Sequence, residues 1–464
     1  MAQILVVDDE MGIRELLSEI LADEGHSVLL AENAAAARKI RSERRPDLVL
    51  LDIWMPDTDG ISLLKEWSST GLLTMPVVMM SGHGTIDSAV EATRVGAIDF
   101  LEKPIALQKL LGTVKKALKH EVLPQKAPLT LDAFARSPLL KDLKKRLEHE
   151  VLGYTFACKE WSESIINWVK ERHGWAIREE MLTFTPGIVR GLAFVIHCFT
   201  QKGDKVIIQP PVYHPFRIVP EKMKREVVYN PLKMVDGIYE MDFDHLESII
   251  DDKCKVLILC NPHNPGGIVW KKETLVRLAD ICAKHNILVI SDEIHAEMAY
   301  PQYTHYPFAS VSDTAASCSV TFMAPSKTFN IAGIVTSYAI VPNDRIREEF
   351  YSFLEAGEFG DGTIFAYTAT TAAYTYGAEW LQQMRMYIME NVRFVEEFMK
   401  QHLPKIKVYQ PQASFLVWLD CRELKLSQDE LVHLFKDKAG LALNDGSIFG
   451  PGGEGHMRLN IGCP

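Results

Sequence analysis

Met323-Ala324-Pro325-Ser326-Lys327-Thr328-Phe329-Asn330-Ile331-Ala332-Gly333 sets a lysine just after a strand-like apolar run, Cys318 to Met323, and at the start of a turn of small residues. A lysine in that place is expected to be half-buried. Burial lowers an ammonium's pKa toward neutrality, and a neutral amine attacks a carbonyl and can hold a cofactor aldehyde as a Schiff base. A lone lysine at a strand end reads equally as a surface charge, so the covalent reading depends on partners elsewhere in the chain.

Those partners lie upstream, each at the end of a short apolar run. Met181 to Phe184 leads into Thr185-Pro186-Gly187-Ile188-Val189-Arg190-Gly191, a glycine turn opening an apolar helix, whose free N–H groups suit a phosphate. Val206 to Ile208 leads to Gln209-Pro210-Pro211-Val212-Tyr213-His214-Pro215, where Tyr213 can lie flat on a planar ring. Lys255 to Leu259 ends in Cys260-Asn261-Pro262-His263-Asn264-Pro265-Gly266-Gly267, a rigid loop that fixes the Asn264 amide. Ile287 to Ile290 ends in Ser291-Asp292-Glu293-Ile294-His295, and a buried aspartate is costly unless it meets a cation. A protonated pyridine nitrogen is such a cation, and its proton makes the ring an electron sink. Singly, these are a packing glycine, a core tyrosine and turn residues. Together with Lys327 they describe a pyridoxal 5'-phosphate site.

Their order resembles the fold-type-I pyridoxal-phosphate enzymes of the class I/II aminotransferase superfamily, and most narrowly the MalY/PatB cystathionine beta-lyase branch. The resemblance runs from about Leu147 to the last residue and adds Gly153-Tyr154-Thr155 and Arg458-Leu459-Asn460-Ile461-Gly462-Cys463-Pro464. It implies that Lys327 carries the cofactor and acts as general base, that Asp292 pairs with the ring nitrogen, and that Asn264 and His295 lie near the ring oxygen. Tyr213 stacks on the ring. The backbone at Gly187, Ile188 and Val189 and the Ser326 hydroxyl surround the phosphate. Tyr154 reaches the phosphate of a neighbouring subunit, which implies a homodimer, and Arg458 clamps the substrate carboxylate. The implied substrate is an amino-acid thioether, cleaved to a thiol, pyruvate and ammonia. Transamination shares the early chemistry; His295, where many aminotransferases place a tyrosine, favours the lyase.

The N-terminal part is a separate pattern. Ile4 to Val7 precedes Asp8 and Asp9, Leu48 to Leu51 precedes Asp52, Val77 to Met80 precedes Ser81, and Ile98 to Leu101 shortly precedes Lys103, with helical periodicity between. This alternation predicts a doubly wound parallel sheet whose strand ends converge on one crevice. Three carboxylates that close repel unless a divalent cation sits among them, and oxygen ligands suit Mg2+. A carboxylate beside Mg2+ can accept a phosphoryl group, with Lys103 offsetting charge and Ser81 bonding the product. Residues 1–121 resemble the receiver domain of two-component response regulators, closest to the NtrC/NtrX branch, through Val7-Asp8-Asp9-Glu10, Leu51-Asp52-Ile53-Trp54-Met55-Pro56, Met80-Ser81-Gly82-His83 and Glu102-Lys103-Pro104. The resemblance implies Asp52 as phosphoacceptor, Asp8, Asp9, Asp52 and the Trp54 carbonyl as Mg2+ ligands, Phe100 as the switch aromatic, and a sensor histidine kinase as phosphodonor.

The expected layout is a flavodoxin-like α/β receiver at 1–121, a linker and joining helix at 122–150, an α/β pyridoxal-phosphate large domain at 151–350 and a truncated small domain at 351–464. Pro124 and Pro128 mark the linker, and Ser137-Pro138 starts an amphipathic helix. An NtrC-like activator continues into an ATPase, yet no G-x-x-x-x-G-K-[ST] follows. A net charge of -11 disfavours a nucleic-acid surface, and the eight cysteines form no C-x-x-C pair, which fits a reducing cytoplasm. Neither a signal peptide nor a membrane span is visible.

The resemblance further implies a tryptophan-rich pocket segment where this chain has the receiver, a closing helix beyond Pro464, a basic residue in place of Ile268 and, in aminotransferases, a serine in place of Ala324. Uncovered apolar faces are therefore expected from about Tyr351 onward. The leading reading is a cytoplasmic carbon-sulfur lyase carrying a phosphorylatable receiver. Alternatives are a signalling or transcription-regulatory protein with a non-catalytic lyase-like module, an aminotransferase, and an artificial fusion joined near Glu148.

Overall fold

The computed structural model describes residues 2–69, 72–82, 92, 95–118 and 138–462. His83, the linker with Pro124 and Pro128, Ser137, Cys463 and Pro464 lie outside the described residues. The chain divides into two units, 1–134 and 135–464.

In the first unit five strands form a parallel sheet in the order β2-β1-β3-β4-β5: β1 Gln3–Val7, β2 Ser27–Ala31, β3 Leu48–Asp52, β4 Val77–Ser81 and β5 Asp99–Glu102. Strand periodicity of two sends Ile4, Val6, Leu48 and Leu50 to one face, against the helices Met11–Asp23 and Leu107–Ala117. Leu5, Val7, Val49 and Leu51 go to the other, against Ala34–Glu43 and Gly60–Ser69. Apolar runs unbroken by polar residues are what two covered faces require. The edge strand β2, half-exposed and ending at Ala31, lacks the polar terminus that marked the four runs read from sequence.

The second unit is built on a seven-stranded sheet in the order β6-β14-β13-β12-β11-β7-β8. Its members are β6 Leu182–Thr185, β7 Lys205–Ile208, β8 Glu226–Tyr229, β11 Cys254–Cys260, β12 Leu288–Asp292, β13 Ser319–Met323 and β14 Ser337–Ile340, with β14 antiparallel to both neighbours. A separate hairpin, β9 Lys233–Val235 and β10 Ile238–Glu240, turns through Asp236 and Gly237, both at positive φ. Val256, Ile258, Leu288 and Ile290 face the helices Ile188–Phe199 and Asp344–Ala356. Leu257, Leu259 and Val289 face Lys272–Lys284.

A third core gathers Trp161, Ile165 and Trp168 with the helices Ile364–Tyr376 and Ala378–His402 and a four-stranded antiparallel sheet. That sheet runs β15-β16-β18-β17, from Lys407–Tyr409, Leu416–Asp420, His456–Asn460 and Asn444–Asp445 respectively. The helix Pro138–Leu147, expected to join the two halves, places Leu139 in this core, so it belongs to the second unit. Tyr376, Met386, Phe394, Phe398 and Leu403 are exposed in this region.

Candidate functional sites

The carboxyl ends of β6, β7, β11, β12 and β13 carry most of the predicted residues of the second unit, and β18 carries Arg458. Cys260 and Asp292 are register partners at the last positions of β11 and β12, and strand parity turns both toward the same face. Asp292 is buried, and its Oδ1 accepts the Ile294 N–H at 3.1 Å. Burial, with added repulsion from Glu293, raises its carboxyl to about 7 against the opposing pull of the Ile294 N–H and Lys327. His295 is buried with Nδ1 unpartnered and its ring edge-on to Phe415. Burial, then the charges of Lys327 and Arg458, press it down to about 3, so it stands neutral. The charge of Lys327 thus acts on both Asp292 and His295.

Lys327 itself is exposed, which corrects the expectation of half-burial. Pro325 starts a four-residue helix directly after β13, so the lysine leaves the sheet on the first helical turn instead of staying in the apolar run. Ser326 beside it is buried.

Asn264 is buried; its Oδ1 accepts from Arg458 Nη1 at 2.9 Å and its backbone N–H points to Cys260 Sγ at 3.3 Å. Arg458 Nη2 donates to Asn444 Oδ1 at 2.7 Å, the guanidinium lies 4.8 Å from the Phe449 ring, and Nε is buried without a partner. Burial holds this guanidinium down to about 10. Tyr213 is half-buried, its N–H on the Asn264 carbonyl at 3.1 Å, and burial and Asp292 raise its hydroxyl. Gly187 adopts φ +96°, a conformation that favours glycine, and its N–H meets the Ser337 hydroxyl at 3.0 Å. The helix it opens has no side-chain cap, which leaves the first-turn N–H groups of buried Ile188 and exposed Val189 without one. Tyr154 is fully exposed and does not join the other residues of its own chain.

Cys260, Phe415, Asn444 and Phe449 escaped the sequence reading. Asn444 and Phe449 sit in a segment that only tertiary pairing with β18 brings beside Arg458.

In the first unit Asp8, Asp9 and Asp52 offer oxygens within 4.8 Å of one another, the one candidate metal cluster among the described residues. Lys103 Nζ stands 2.8 Å from Asp8 Oδ2 and 3.1 Å from Asp52 Oδ2. Burial raises the Asp52 carboxyl to about 6 although Lys103 opposes it, and Asp52 Oδ1 has no hydrogen-bond partner. Ser81 is buried at the end of β4, its carbonyl taking the Lys103 N–H at 2.8 Å. Trp54 is exposed just beyond Asp52, and Phe100 is half-buried on β5. Gly60 closes the loop so tightly that a Cβ would lie 2.0 Å from the Asp52 carbonyl oxygen.

Comparison with known proteins agrees with both halves. The family model "Aminotransferase class I and II" matches residues 140–464, and "Response regulator receiver domain" matches residues 4–115. Cystathionine beta-lyase PatB of Bacillus subtilis is 43% identical over 334 residues, 72% of this chain and 86% of that protein. An NtrX-like response regulator of Rickettsia bellii is 42% identical over 116 residues, 25% of this chain and 24% of its own. Cystalysin from Treponema denticola, solved with pyridoxal 5'-phosphate, superposes with a TM-score of 0.69 at 37% identity, over 70% of this chain and 83% of that one.

Proposed function

The chain belongs to the aminotransferase class I and II family and carries a response regulator receiver domain, and we propose that its second unit is a pyridoxal-phosphate-dependent carbon-sulfur β-lyase. The observation that carries this reading is the likeness to a protein named as a cystathionine beta-lyase across 86% of its length. The substrate is an amino-acid thioether of the cystathionine kind, and the products are a thiol, pyruvate and ammonia.

The residues suit the cofactor. A buried carboxylate raised to about 7 invites a cation, as a protonated ring nitrogen is, and the unpartnered Nδ1 of buried His295 leaves one polar atom to be satisfied. Pyridoxal phosphate, when bound, supplies an electron sink for negative charge at the substrate α carbon. Lys327 would anchor it and move the α proton, and Asp292 would keep the proton on the ring nitrogen. Asn264 and His295 would lie near the ring oxygen, and Tyr213 would stack on the ring. Gly187, Ile188, Val189 and Ser326 would hold the phosphate, joined by Tyr154 of a second copy in a homodimer. Arg458, already oriented by Asn264 and Asn444, takes the substrate carboxylate.

In the receiver, Asp52 would accept the phosphoryl group from a sensor histidine kinase, Asp8, Asp9, Asp52 and the Trp54 carbonyl would hold Mg2+, and Ser81 and Lys103 would bond the transferred oxygens. The unpartnered Asp52 Oδ1 and the three converging carboxylates fit that ion. We place the protein in the cytoplasm.

The test is a visible spectrum of the purified protein with added pyridoxal phosphate, before and after cystathionine. A cofactor band that is lost in Lys327→Ala, with pyruvate formed only by the wild type, supports the lyase; formation of a keto acid without thiol release indicates transamination, and no band at all refutes both. For regulation, Asp52→Asn and wild type are compared under a small-molecule phosphodonor, and identical lyase rates defeat a regulatory receiver.

A further inference from the structure

We propose that Ser337 is a positioning residue for the phosphate cup: its buried hydroxyl locks the turn from Thr185 to Gly187 and so aims the first-turn N–H groups of Ile188 and Val189 at a phosphate. The inference rests on the reading of that turn as the place where the cofactor's phosphate is held, and it adds a residue from the neighbouring strand.

β14 runs antiparallel to both neighbours, so its first residue, Ser337, lies beside their carboxyl ends. On one side Ser337 pairs with Thr185, the last residue of β6 and two before Gly187. On the other, Tyr338 pairs with Met323, the last residue of β13 and four before Lys327. Ser337 therefore stands between the strand that leads to the cup and the strand that leads to the lysine. Tyr338 and Ile340 face one core, while Ala339 and Val341 face the other, under the helix Ile188–Phe199. Strand parity puts Ser337 on that second face. It is buried there, and a buried hydroxyl is costly unless it is hydrogen-bonded.

All of its bonds go to one turn. The hydroxyl donates to the Thr185 carbonyl at 2.9 Å, accepts the Gly187 N–H at 3.0 Å and lies 2.7 Å from the Thr185 hydroxyl. A serine oxygen has one hydrogen to give and two lone pairs to receive. With its hydrogen on the Thr185 carbonyl, its lone pairs take the Gly187 N–H and the Thr185 hydroxyl, and its bonding capacity is filled by the turn. The Gly187 N–H also meets the Thr185 carbonyl at 2.9 Å, so that donor is committed inside the turn. The first intrahelical bond runs from the Gly191 N–H to the Gly187 carbonyl at 3.0 Å, which leaves the N–H groups of Ile188 and Val189 ahead of the helical ladder. Gly187 thus serves the cup through its φ of +96°, and Ile188 and Val189 supply the donors for an anion. The strand is anchored from its far side as well: Thr336 Oγ1, just before Ser337, lies 2.9 Å from Thr370 Oγ1 on the helix Ile364–Tyr376.

The experiment titrates the cofactor-free protein with pyridoxal phosphate and, separately, with pyridoxal, which lacks only the phosphate, and follows absorbance. Ser337→Ala is expected to bind pyridoxal phosphate about tenfold more weakly while its affinity for pyridoxal stays within about twofold of wild type. Thr185→Val also removes a buried hydroxyl bond but leaves Ser337 on the Gly187 N–H, and it should keep the wild-type preference for the phosphate. Equal weakening of both ligands in Ser337→Ala, or no weakening of either, overturns the inference. If that variant does not fold, amide hydrogen exchange in the cofactor-free wild type decides. The Gly187 amide should be protected and those of Ile188 and Val189 fast; a Gly187 amide as fast as its two neighbours overturns the inference. A wild type that shows no preference for pyridoxal phosphate over pyridoxal sinks the reading of the cup, whereas a preference that survives Ser337→Ala undiminished sinks the role of Ser337 alone.

Discussion

Arg458 on β18 and Asn264 after β11, 194 residues apart, meet on a single hydrogen bond of 2.9 Å from Nη1 to Oδ1. The bond ties the small sheet to the loop after the carboxyl end of β11, an interior strand of the large sheet, at the place where a substrate carboxylate and a ring oxygen are expected to lie side by side. Asn444 holds the other terminal nitrogen at 2.7 Å, so the guanidinium plane is set from both sides.

Arg458→Lys should therefore raise KM for a thioether substrate by about tenfold or more while changing kcat less, because a point charge replaces a fork oriented by two amides. The pH profile has a definite sign. Burial holds the guanidinium down to about 10; it is charged below that value and loses its charge above it. KM should rise as pH climbs through about 10, measured by initial rates across the alkaline range.

The buried pair His173 and Glu297, 2.9 Å apart, should dominate the pH dependence of stability in the second unit. Burial tends to raise the Glu297 carboxyl, but His173 and Arg172 bring it down to about 2; its stabilisation is present above the ordinary value and lost as pH falls through about 2. His173 is raised against its burial by Glu297, so its share is complete below its ordinary value of 6.5 and lost as pH rises past its folded value. Both shares are full in the window between about 4.5 and 6.5. His173→Gln should cost about 3 kcal/mol in denaturant melts in that window, and the gap from wild type should narrow toward alkaline pH. A constant gap across pH would show that the pair contributes by packing alone.

Much of this was legible because strand ends carry chemistry. Asp8, Asp52, Ser81 and Asp292 each close an apolar run, and in a parallel sheet the run's end is the site's edge. What escaped was set by tertiary partners. Lys327 looked half-buried because the sequence shows an apolar strand before it and not the direction in which Pro325 turns the chain. Asn444 and Phe449 gained meaning only when β17 and the turn after it packed beside β18. His173 sits on the helix Lys159–His173, and nothing in its spacing points to Glu297.

Gly187→Ala isolates the turn that opens the proposed phosphate cup. A Cβ there meets only Val335 Cγ1, at an ordinary 3.7 Å, so crowding contributes little. The cost is the backbone angle of +96°, on the order of 1–3 kcal/mol for a residue with a side chain. If the chain relaxes by moving the turn, the first-turn N–H groups shift, and pyridoxal phosphate should bind about tenfold or more weakly in fluorescence titration while the fold persists. A melting loss without weaker cofactor binding would place the phosphate elsewhere.

Magnesium should stabilise the receiver through Asp8, Asp9 and Asp52. Three carboxylates within 4.8 Å of one another repel, and Lys103 touches only two of them, leaving Asp9 exposed and without that cation. A divalent ion that binds the folded state and not the unfolded one adds about 2.7 kcal/mol at a hundred times its Kd. Thermal melts of the receiver transition should therefore rise with Mg2+ in the wild type. In Asp9→Asn the metal-free melt should be close to wild type, since an exposed carboxylate in repulsion is removed, but the Mg2+-dependent rise should shrink. An equal rise in both proteins would mean that Asp9 is not a ligand, and a lower metal-free melt in the variant would mean that Lys103 already balances all three charges.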